Sequence, residues 1–356
     1  MTRHPLAVAL LAALAAAPAL AQDVPAPAER ASTLDTLIVT GTRVSDRTVA
    51  ESQSPIDIIS SEALQATGTT ELATALARAL PSLNFPRPAL TDGTSAIRPA
   101  QLRGLAPDQV LVLVNGKRRH TSSLLNLNGT IGRGSAPVDL NTIPISAIDR
   151  VEVLRDGASA QYGSDAIAGV VNVVLKGARQ GGSLQARYGG YSAGDGVQSQ
   201  IAGDAGIDLG GDRGFVHLSA QLDQQDATNR ARPFAGTPGP TQPEPGQKAF
   251  VIGEPEVDAG AFAFNLDYAL TDRVSVYGFG SASNRDITSF AFFRAPGNPT
   301  QNIPSIYPDG FLPRINNVSK DRAIVAGLKG FTEGGWNWDL SYNYGYNHLE
   351  FYTRNT

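Results

Sequence analysis

The residue types that most often carry catalysis or bind metal are scarce in this chain. It contains no Cys, which excludes disulfides, thiolate metal sites and thiol nucleophiles. The His residues are far apart in sequence and give no metal-ligand spacing and no convincing Ser-His-Asp set; they are His4, His120, His217 and His348. Gly116-Lys117 is followed by Arg118 and lacks the upstream Gly of a phosphate-binding loop. The sequence therefore predicts neither an enzyme nor a resident metal or cofactor.

Length, charge and hydropathy limit the number of domains and the kinds of partner that the chain can have. The 356 residues are enough for two domains with substantial cores. Lys and Arg number 29 against 33 Asp and Glu, so the net charge of −4 gives no electrostatic argument for nucleic-acid binding. Beyond the N-terminus there is no apolar run long enough for a membrane helix. Transmembrane strands stay possible, because their alternating residues give an ordinary average hydropathy.

The N-terminus has the three parts of a secretory signal peptide. Arg3 and His4 precede an apolar stretch over 6–17, and Ala19-Leu20-Ala21 is a small-x-small cleavage site. A membrane anchor is the alternative, but the apolar stretch is too short to span a bilayer. We therefore predict a signal peptide over 1–21 and a tether over 22–49, whose first part is rich in Ala and Pro.

Aromatic residues divide the remainder into two regions. Of the 25 Phe, Trp and Tyr, only Phe85 and Tyr162 precede residue 177. After that point apolar and polar residues alternate, most clearly over 336–346, where Trp, Leu and Tyr occupy every even position. We count about seven such strands, at 183–191, 198–209, 216–222, 262–270, 273–283, 321–331 and 336–346.

The connections between these strands favour a membrane barrel. Tight turns at 210–213, 271–272 and 332–335 alternate with a short link near 192–197 and two long links rich in Pro and Gly, 224–260 and 284–320. Short turns at one end and long loops at the other are typical of outer-membrane barrels. A soluble β-sandwich would show the same alternation, but its apolar faces would meet between two sheets. Seven strands would leave two open edges, which predicts that the chain is the front part of a longer barrel.

The first region, 50–176, has the pattern of a compact α+β domain. Short strands are predicted at 54–59, 110–114, 150–154 and 170–175. Ser60 and Ser61 can cap a short helix with Glu62 in its first turn, and a second helix is predicted over 69–80. Asn115-Gly116 is a strong hairpin-turn signal.

Four stretches of this region resemble the plug of TonB-dependent outer-membrane receptors: 54–60, 102–105, 110–119 and 149–176. The last reads DRVEVLRDGASAQYGSDAIAGVVNVVLK, which is long enough to make chance resemblance improbable. The segment 35–40 also resembles a TonB box. The resemblance implies an α+β plug over 50–176 that closes an antiparallel transmembrane β-barrel of about 22 strands. Residues 177–356 would then be the N-terminal part of that barrel, truncated.

The resemblance also implies a function, which is energised uptake of a scarce large ligand, such as a ferric siderophore, across the outer membrane of a Gram-negative bacterium. Its implied partners are TonB with the inner-membrane energising complex, outer-membrane lipid, and a chelated metal or other large ligand. We expect a monomer. The segment that would pair as a strand with TonB comprises Asp35, Thr36, Leu37, Ile38, Val39 and Thr40.

The resemblance also assigns roles to residues of the plug and the loops. The charges expected to meet the barrel wall are Arg103, Arg150, Glu152, Arg155 and Asp156. The expected plug turns are Gly104, Asn115, Gly116, Gly157 and Gly163. The run 117–120 is expected along a strand facing barrel carboxylates or solvent, with contact to an anionic ligand as the alternative.

Ligand contact is expected from the plug loops 84–100 and 121–137 and from the two long barrel loops. Within the second barrel loop the candidates are Phe290, Phe292, Phe293 and Arg294. Packing of the loops against each other is the alternative for these four.

Two other functions are compatible with parts of the pattern. A passive porin or a surface adhesin would use the same barrel, with the first region as a constriction. A soluble periplasmic β-rich binding protein would keep the alternating strands in a sandwich. The first predicts that residues 35–40 are dispensable for uptake, and the second predicts recovery in the aqueous fraction without detergent.

Overall fold

The computed structural model describes residues 40, 51–52, 54–91, 93–126, 132–237 and 239–356. The predicted signal peptide and all of the predicted TonB box except Thr40 lie outside these residues. Within the described residues the first region contains three short α-helices, α1 (Ser61–Ala66), α2 (Leu72–Ala79) and α3 (Ser159–Tyr162). Its strands are β1 (Ile56–Ser60), β2 (Leu83–Asn84), β3 (Gln101–Leu102), β4 (Val110–Val114), β5 (Lys117–Arg118), β6 (Ile148–Leu154) and β7 (Gly169–Leu175).

Five of these strands form one mixed sheet in the order β1-β6-β7-β4-β5. β4 and β7 run parallel, and the other neighbours are antiparallel. The sequence VLVLV of β4 is apolar at every position because the strand is buried on both faces. Asn115 and Gly116 both have positive φ and form the predicted turn from β4 into β5.

The two predicted helices are present, with one shifted start. Ser60 caps α1 by accepting a hydrogen bond from the N–H of Ala63 at 3.3 Å. The second helix begins at Leu72 and not at the predicted residue 69, because the backbone of Glu71 is still extended. None of the helices in the described ranges has the length and apolarity needed to cross a membrane.

The second region is one antiparallel sheet of seven strands, as predicted. Its strands are β8 (Gly182–Gly189), β9 (Gln198–Asp208), β10 (Gly214–Gln225), β11 (Glu256–Thr271), β12 (Val274–Phe290), β13 (Arg314–Phe331) and β14 (Asn337–Arg354). Each strand pairs with its neighbours in the chain, so the sheet is a meander with β8 and β14 at its edges.

The last three strands are longer than the sequence pattern predicted. β12 continues to Phe290, where a loop from residue 284 was expected, and β13 begins at Arg314 and not near residue 321. The added residues are mostly polar, which made them resemble a loop. They belong to the sheet because its inner face is polar, with Arg285, Asn317 and Ser319 almost fully buried.

The two faces of this sheet are the reverse of those in a soluble protein. The face against the first region buries polar side chains, including His217, Ser219 and Gln221 of β10. The opposite face exposes large apolar ones, with Leu340 72% and Tyr342 69% accessible. A β-sandwich would bury those apolar side chains between its sheets, so the sandwich prediction does not describe this chain. An apolar outer band over a polar interior is the arrangement of a transmembrane barrel wall.

Candidate functional site

The candidate site is the contact between the first region, called the plug below, and the inner face of the seven-stranded sheet. Two buried ion pairs lie at its centre. Arg285 of β12 reaches Asp139 of the plug at 2.8 Å, and Arg119 of the plug reaches Asp321 of β13 at 2.6 Å. All four side chains are at most 5% exposed. Asp321 also accepts a hydrogen bond from His120 at 2.9 Å, so its carboxylate joins two plug residues to the sheet.

Further charges at the edges of the plug continue this contact. Lys117 pairs with Asp339 of β14 at 2.9 Å, and Lys176 pairs with Asp204 of β9 at 2.7 Å. The predicted orientation of the run 117–120 is thus confirmed, because three of its four side chains meet carboxylates of the sheet. Arg118 instead pairs with Asp165 inside the plug.

The plug charges singled out from the sequence form ion pairs inside the plug. Arg103 pairs with Asp156 at 3.4 Å, and both side chains are at least half exposed. Arg155 pairs with Asp57 at 2.5 Å. Arg150 contacts Glu152 at 2.9 Å. The pairs that reach the described strands involve other plug residues, so contact of these five with the barrel stays a prediction.

The predicted plug turns occupy two kinds of backbone position. Gly104 has a φ of 74° after β3, and Gly163 has a φ of 98° at the end of α3. Both conformations are ones that favour glycine. Gly157 has no such φ, but a side chain there would approach the carbonyl oxygen of Ile167 to 3.3 Å. Close backbone approach therefore accounts for Gly157.

Thr40, the last residue of the predicted TonB box, is fully buried against the plug sheet. Its backbone N–H donates to the carboxylate of Glu152 at 2.9 Å, and its hydroxyl accepts from the amide of Asn172 at 3.0 Å. Glu152 and Asn172 face each other across β6 and β7, and neither is exposed to solvent. A buried carboxylate is favourable only when hydrogen-bonded, and here Arg150 and Thr40 supply two of its partners.

Hydrogen bonds continue from this position to the seven-stranded sheet. The amide oxygen of Asn172 accepts from the N–H of Gly116 at 3.0 Å. The neighbouring Asn115 accepts from the N–H of Leu175 at 2.9 Å and donates to Asn265 of β11 at 3.2 Å. Thr40 is therefore joined to the barrel strand β11 through one asparagine side chain and the β4–β5 turn.

A second charged cluster joins the plug to the loop 226–255 between β10 and β11. Glu71 and Glu254 are bridged twice, once by Arg98 and once by Arg87. We call these four residues the charge ring. Burial of Glu71 opposes its ionisation, but Arg98 and Arg87 outweigh that effect and lower its pKa from 4.5 to about 2. Glu71 is therefore ionised at neutral pH.

The predicted aromatic contacts lie in and beside the loop 291–313. Phe290 ends β12 under the guanidinium of Arg314, and Phe293 packs edge-on against Phe250 of the other long loop. Arg294 donates to the side chain of Gln301 at 2.9 Å. Phe292 is 54% exposed. Loop packing thus accounts for part of this set, whereas Phe292 presents an aromatic surface to solvent.

Several residues of the site were not found from the sequence. Asp139, Arg285 and Asp321 lie in segments that carried no motif, and their partners are at least 146 positions away. The period-two pattern offered a weak signal for Asp321, the first residue of a predicted strand, whereas Arg285 lies in the segment 284–320 that was predicted to be a loop. No group of three metal-ligating side chains is present in the described part of the chain.

Comparison with known proteins agrees with this architecture. Residues 48–170 match the family described as TonB-dependent receptor plug domain. The chain also resembles the solved structure of a mutant ferric enterobactin receptor from Pseudomonas aeruginosa, with a TM-score of 0.58 and 18% identity. That match covers 85% of this chain and 44% of the receptor.

Two receptors from Acinetobacter baumannii show the same likeness. The siderophore receptor PirA matches with a TM-score of 0.53 and 19% identity, over 85% of this chain and 45% of PirA. The ferric preacinetobactin receptor BauA matches with a TM-score of 0.50 and 14% identity, over 87% of this chain and 49% of BauA. The chain thus spans less than half the length of these receptors.

The family match and the fold agree with each other and with the sequence prediction. The mixed sheet lies within the matched residues except for most of β7, and the seven-stranded sheet corresponds to part of a receptor barrel. TonB-dependent receptors are transporters of the Gram-negative outer membrane and not enzymes. Residues 48–170 therefore match the family of TonB-dependent receptor plug domains, and the chain as a whole has the fold of a plug followed by barrel strands.

Proposed function

We propose that this chain is part of an active transporter that takes up a scarce large ligand, a ferric siderophore or a similar chelate, across the outer membrane. In this proposal residues 1–21 direct export, the exposed apolar face of the seven-stranded sheet contacts lipid, and the segment 35–40 binds TonB. TonB pulls on that segment, and the plug rearranges to let the ligand pass.

The observation that carries the proposal is the attachment of Thr40. In this proposal the segment 35–40 pairs as a strand with the edge of a TonB sheet. A pull by TonB moves the plug only if this segment is firmly connected to the plug. Thr40 is connected at two atoms to Glu152 and Asn172, in the middle of the plug sheet. A pull on the segment before Thr40 would therefore load β6 and β7 first, and the β4–β5 turn next.

The polar plug–sheet contact supports the second step. Each hydrogen bond or ion pair across it can be exchanged for bonds to water, so the net free energy of each is small, about 0.5–1.5 kcal/mol for a neutral hydrogen bond. Moving the plug against the wall then requires successive small steps and the loss of only a few apolar contacts.

Ligand contact is assigned to the loops at one end of the sheet. The plug loop 84–100 meets the barrel loop 226–255 through Arg98 and Glu254. The exposed ring of Phe292 in the loop 291–313 is the best placed of the four candidates to contact a ligand. The solved structures that resemble this chain are named for ferric enterobactin, ferric preacinetobactin and siderophores, which supports a chelated metal as the ligand class.

Deletion of 35–40 in the full-length gene tests the proposal directly. Cells lacking the native receptor are supplied with a panel of siderophores loaded with radioactive iron. We expect the deletion to abolish accumulation inside the cell and to leave binding at the cell surface unchanged. Accumulation equal to that of the unmodified receptor would contradict the proposal and favour a passive pore.

The attachment of Thr40 can be tested separately, because these 356 residues contain no Cys and an introduced Cys is the single thiol among them. In a Thr36→Cys background we expect Glu152→Ala to increase the rate at which a thiol reagent labels residue 36, since one of the two bonds that hold Thr40 is lost. Asp149→Ala is the matched control, because Asp149 also pairs with Arg150 but is exposed and has no contact with Thr40. Equal labelling in all three proteins would contradict the anchoring role.

A further inference from the structure

A cavity of about 230 Å³ lies between the plug and the ends of β8, β9 and β10. From the plug it is lined by the turn 68–71 and by two arginines, and from the sheet by the link 189–191 and several polar side chains. The residues used below are Thr69, Glu71, Arg78, Arg87, Arg187 and Glu254. The cavity is thus shared between the part proposed to move and the wall.

The charge ring occupies one side of this cavity and is electrically balanced. Arg87 bonds Glu254 at 2.7 Å and Glu71 at 3.3 Å, and Arg98 bonds Glu71 at 3.0 Å and also contacts Glu254. Two carboxylates thus neutralise two guanidinium groups. The ring leaves no negative charge for the other cations of the cavity.

Two arginines remain, and both bind the same backbone turn. Arg78 of α2 donates to the carbonyl oxygen of Thr67 at 2.7 Å. Arg187 of β8 donates to the carbonyl oxygen of Thr69 at 3.4 Å and to the side chain of Gln185 at 3.3 Å. Neither forms an ion pair with a carboxylate of the described residues. Asp223 acts on Arg187 only at longer range, and its carboxylate is held by Gln200 and Gln221.

These contacts leave donors and positive charge unused. A guanidinium group carries five N–H donors, and the described bonds engage one on Arg78 and two on Arg187. Paired arginines on one cavity match the planar or tetrahedral oxygens of an oxyanion, with each charge-assisted bond stronger than a neutral one. The volume is below the roughly 300–1,000 Å³ of sites for drug-sized ligands, so it suits a single anionic group.

We propose that this cavity binds the oxyanion group, carboxylate or phosphate, of a small ligand, held jointly by Arg78 of the plug and Arg187 of the barrel wall. The bound anion would bridge the two parts of the molecule. This binding requires neither TonB nor transport, so it succeeds or fails independently of the proposed function.

Calorimetric titration of the purified full-length protein in detergent micelles tests the proposal, with inorganic phosphate and citrate as probes in a buffer free of both. We expect saturable binding of at least one probe. Tighter binding of phosphate assigns a phosphoryl group to the site, and tighter binding of citrate assigns a carboxylate. Arg78→Gln and Arg187→Gln should each weaken binding by about tenfold or more, since each removes charge-assisted bonds.

Arg213→Gln is the matched control. Arg213 also bonds backbone carbonyls, those of Ala269 and Leu270, but it lies at the turn between β9 and β10, at the other end of the strands. Its substitution should leave the affinity unchanged. Arg78 is solvent-exposed, so its variant is expected to fold normally. Absence of saturable binding of both probes, or equal affinity of Arg78→Gln and the unmodified protein, would overturn the proposal.

Discussion

The interior of the plug and its contact with the seven-stranded sheet are both buried, but they are built from different chemistry. The plug interior is aliphatic, and its fully buried side chains include Leu76, Leu102 and Val151. The contact with the sheet is dominated by ion pairs and amide hydrogen bonds, with Asp139 and Asp321 at its centre. Apolar side chains of the sheet join the plug core at only a few positions: Ala263, Tyr277, Phe279 and Val325.

This difference separates the apolar contacts that keep the plug folded from the polar contacts with the sheet that can be replaced by water. Apolar burial contributes about 25 cal/mol per Å² and has no substitute once water enters, so it keeps the plug folded as a unit. Polar partners across the contact can bind water when they separate together, so separation costs little per pair. Substitution of one partner alone is far more destabilising, because the other partner stays buried without its counter-charge. The predictions below use that distinction.

The largest effect is expected at the Arg285–Asp139 pair. Arg285→Met leaves Asp139, whose side chain is 0% exposed, without its counter-ion. We expect a loss of about 3–5 kcal/mol in the free energy of unfolding, measured by urea titration of the full-length protein. Burial raises the pKa of Asp139, so the loss should be smaller in acid, where this carboxyl is neutral.

A double variant distinguishes an orphaned charge from a lost contact. Asp139→Asn combined with Arg285→Met removes both charges and keeps an acceptor for the N–H of Asn141, which Asp139 now binds at 3.0 Å. Most of the lost stability should return in this double variant. If it is as unstable as Arg285→Met, the pair contributes through packing and the proposed contrast between the two regions is wrong.

A substitution in the plug core should lower the free energy of unfolding by nearly as much, but without a dependence on pH. Leu102 is 0% exposed and packs in the plug core, so Leu102→Ala should destabilise the plug by about 2–5 kcal/mol through lost burial and a cavity. No charge is orphaned, so this loss should not depend on pH. Protease resistance of the plug and urea unfolding both report it.

Leu125→Ala is the control for that measurement, because Leu125 is 47% exposed in a plug loop. Its effect should be close to zero. A loss below about 1 kcal/mol for Leu102→Ala would mean that the core tolerates the cavity by collapsing around it.

Acid titration examines the charge ring. The pKa of Glu71 is lowered from 4.5 to about 2, so its contribution to stability is complete above pH 4.5 and is lost as the pH falls towards 2. Glu71→Gln should therefore remove part of the acid dependence of unfolding in this window and leave the dependence above it unchanged. If the unmodified protein and Glu71→Gln lose stability equally as the pH falls below 4.5, Arg87 and Arg98 do not stabilise the carboxylate.

The sequence predicted the strand content of the chain because the physical signal is local. Alternation of apolar and polar residues follows from one face of each strand meeting lipid or solvent and the other meeting the plug. The α1 cap and the Asn115-Gly116 turn were predictable for the same reason, since a few adjacent residues determine each. The ends of β12 and β13 were not, because a polar inner face and a polar loop look alike in sequence.

The site was harder to predict because its contacts are long-range. Arg285 and Asp139 are brought together only when the sheet lies against the plug, and no spacing in the chain encodes that distance. The late start of α2 has a similar origin. Glu71 stays extended before the helix, and its carboxylate is held there by Arg98 and Arg87 of the plug loop 84–100.

The smallest effect is expected at Arg103, one of the charges selected from the sequence. Its partner Asp156 is 3.4 Å away and both side chains are at least half exposed, so solvent already screens the pair. Arg103→Gln should change the free energy of unfolding by less than about 1 kcal/mol, in contrast to Arg285→Met. Gln can adopt the positive φ of this position about as well as Arg, so no backbone effect is expected to mask the result. A loss comparable to that of Arg285→Met would mean that Arg103 binds the barrel after all, as its position in the plug sequence suggested.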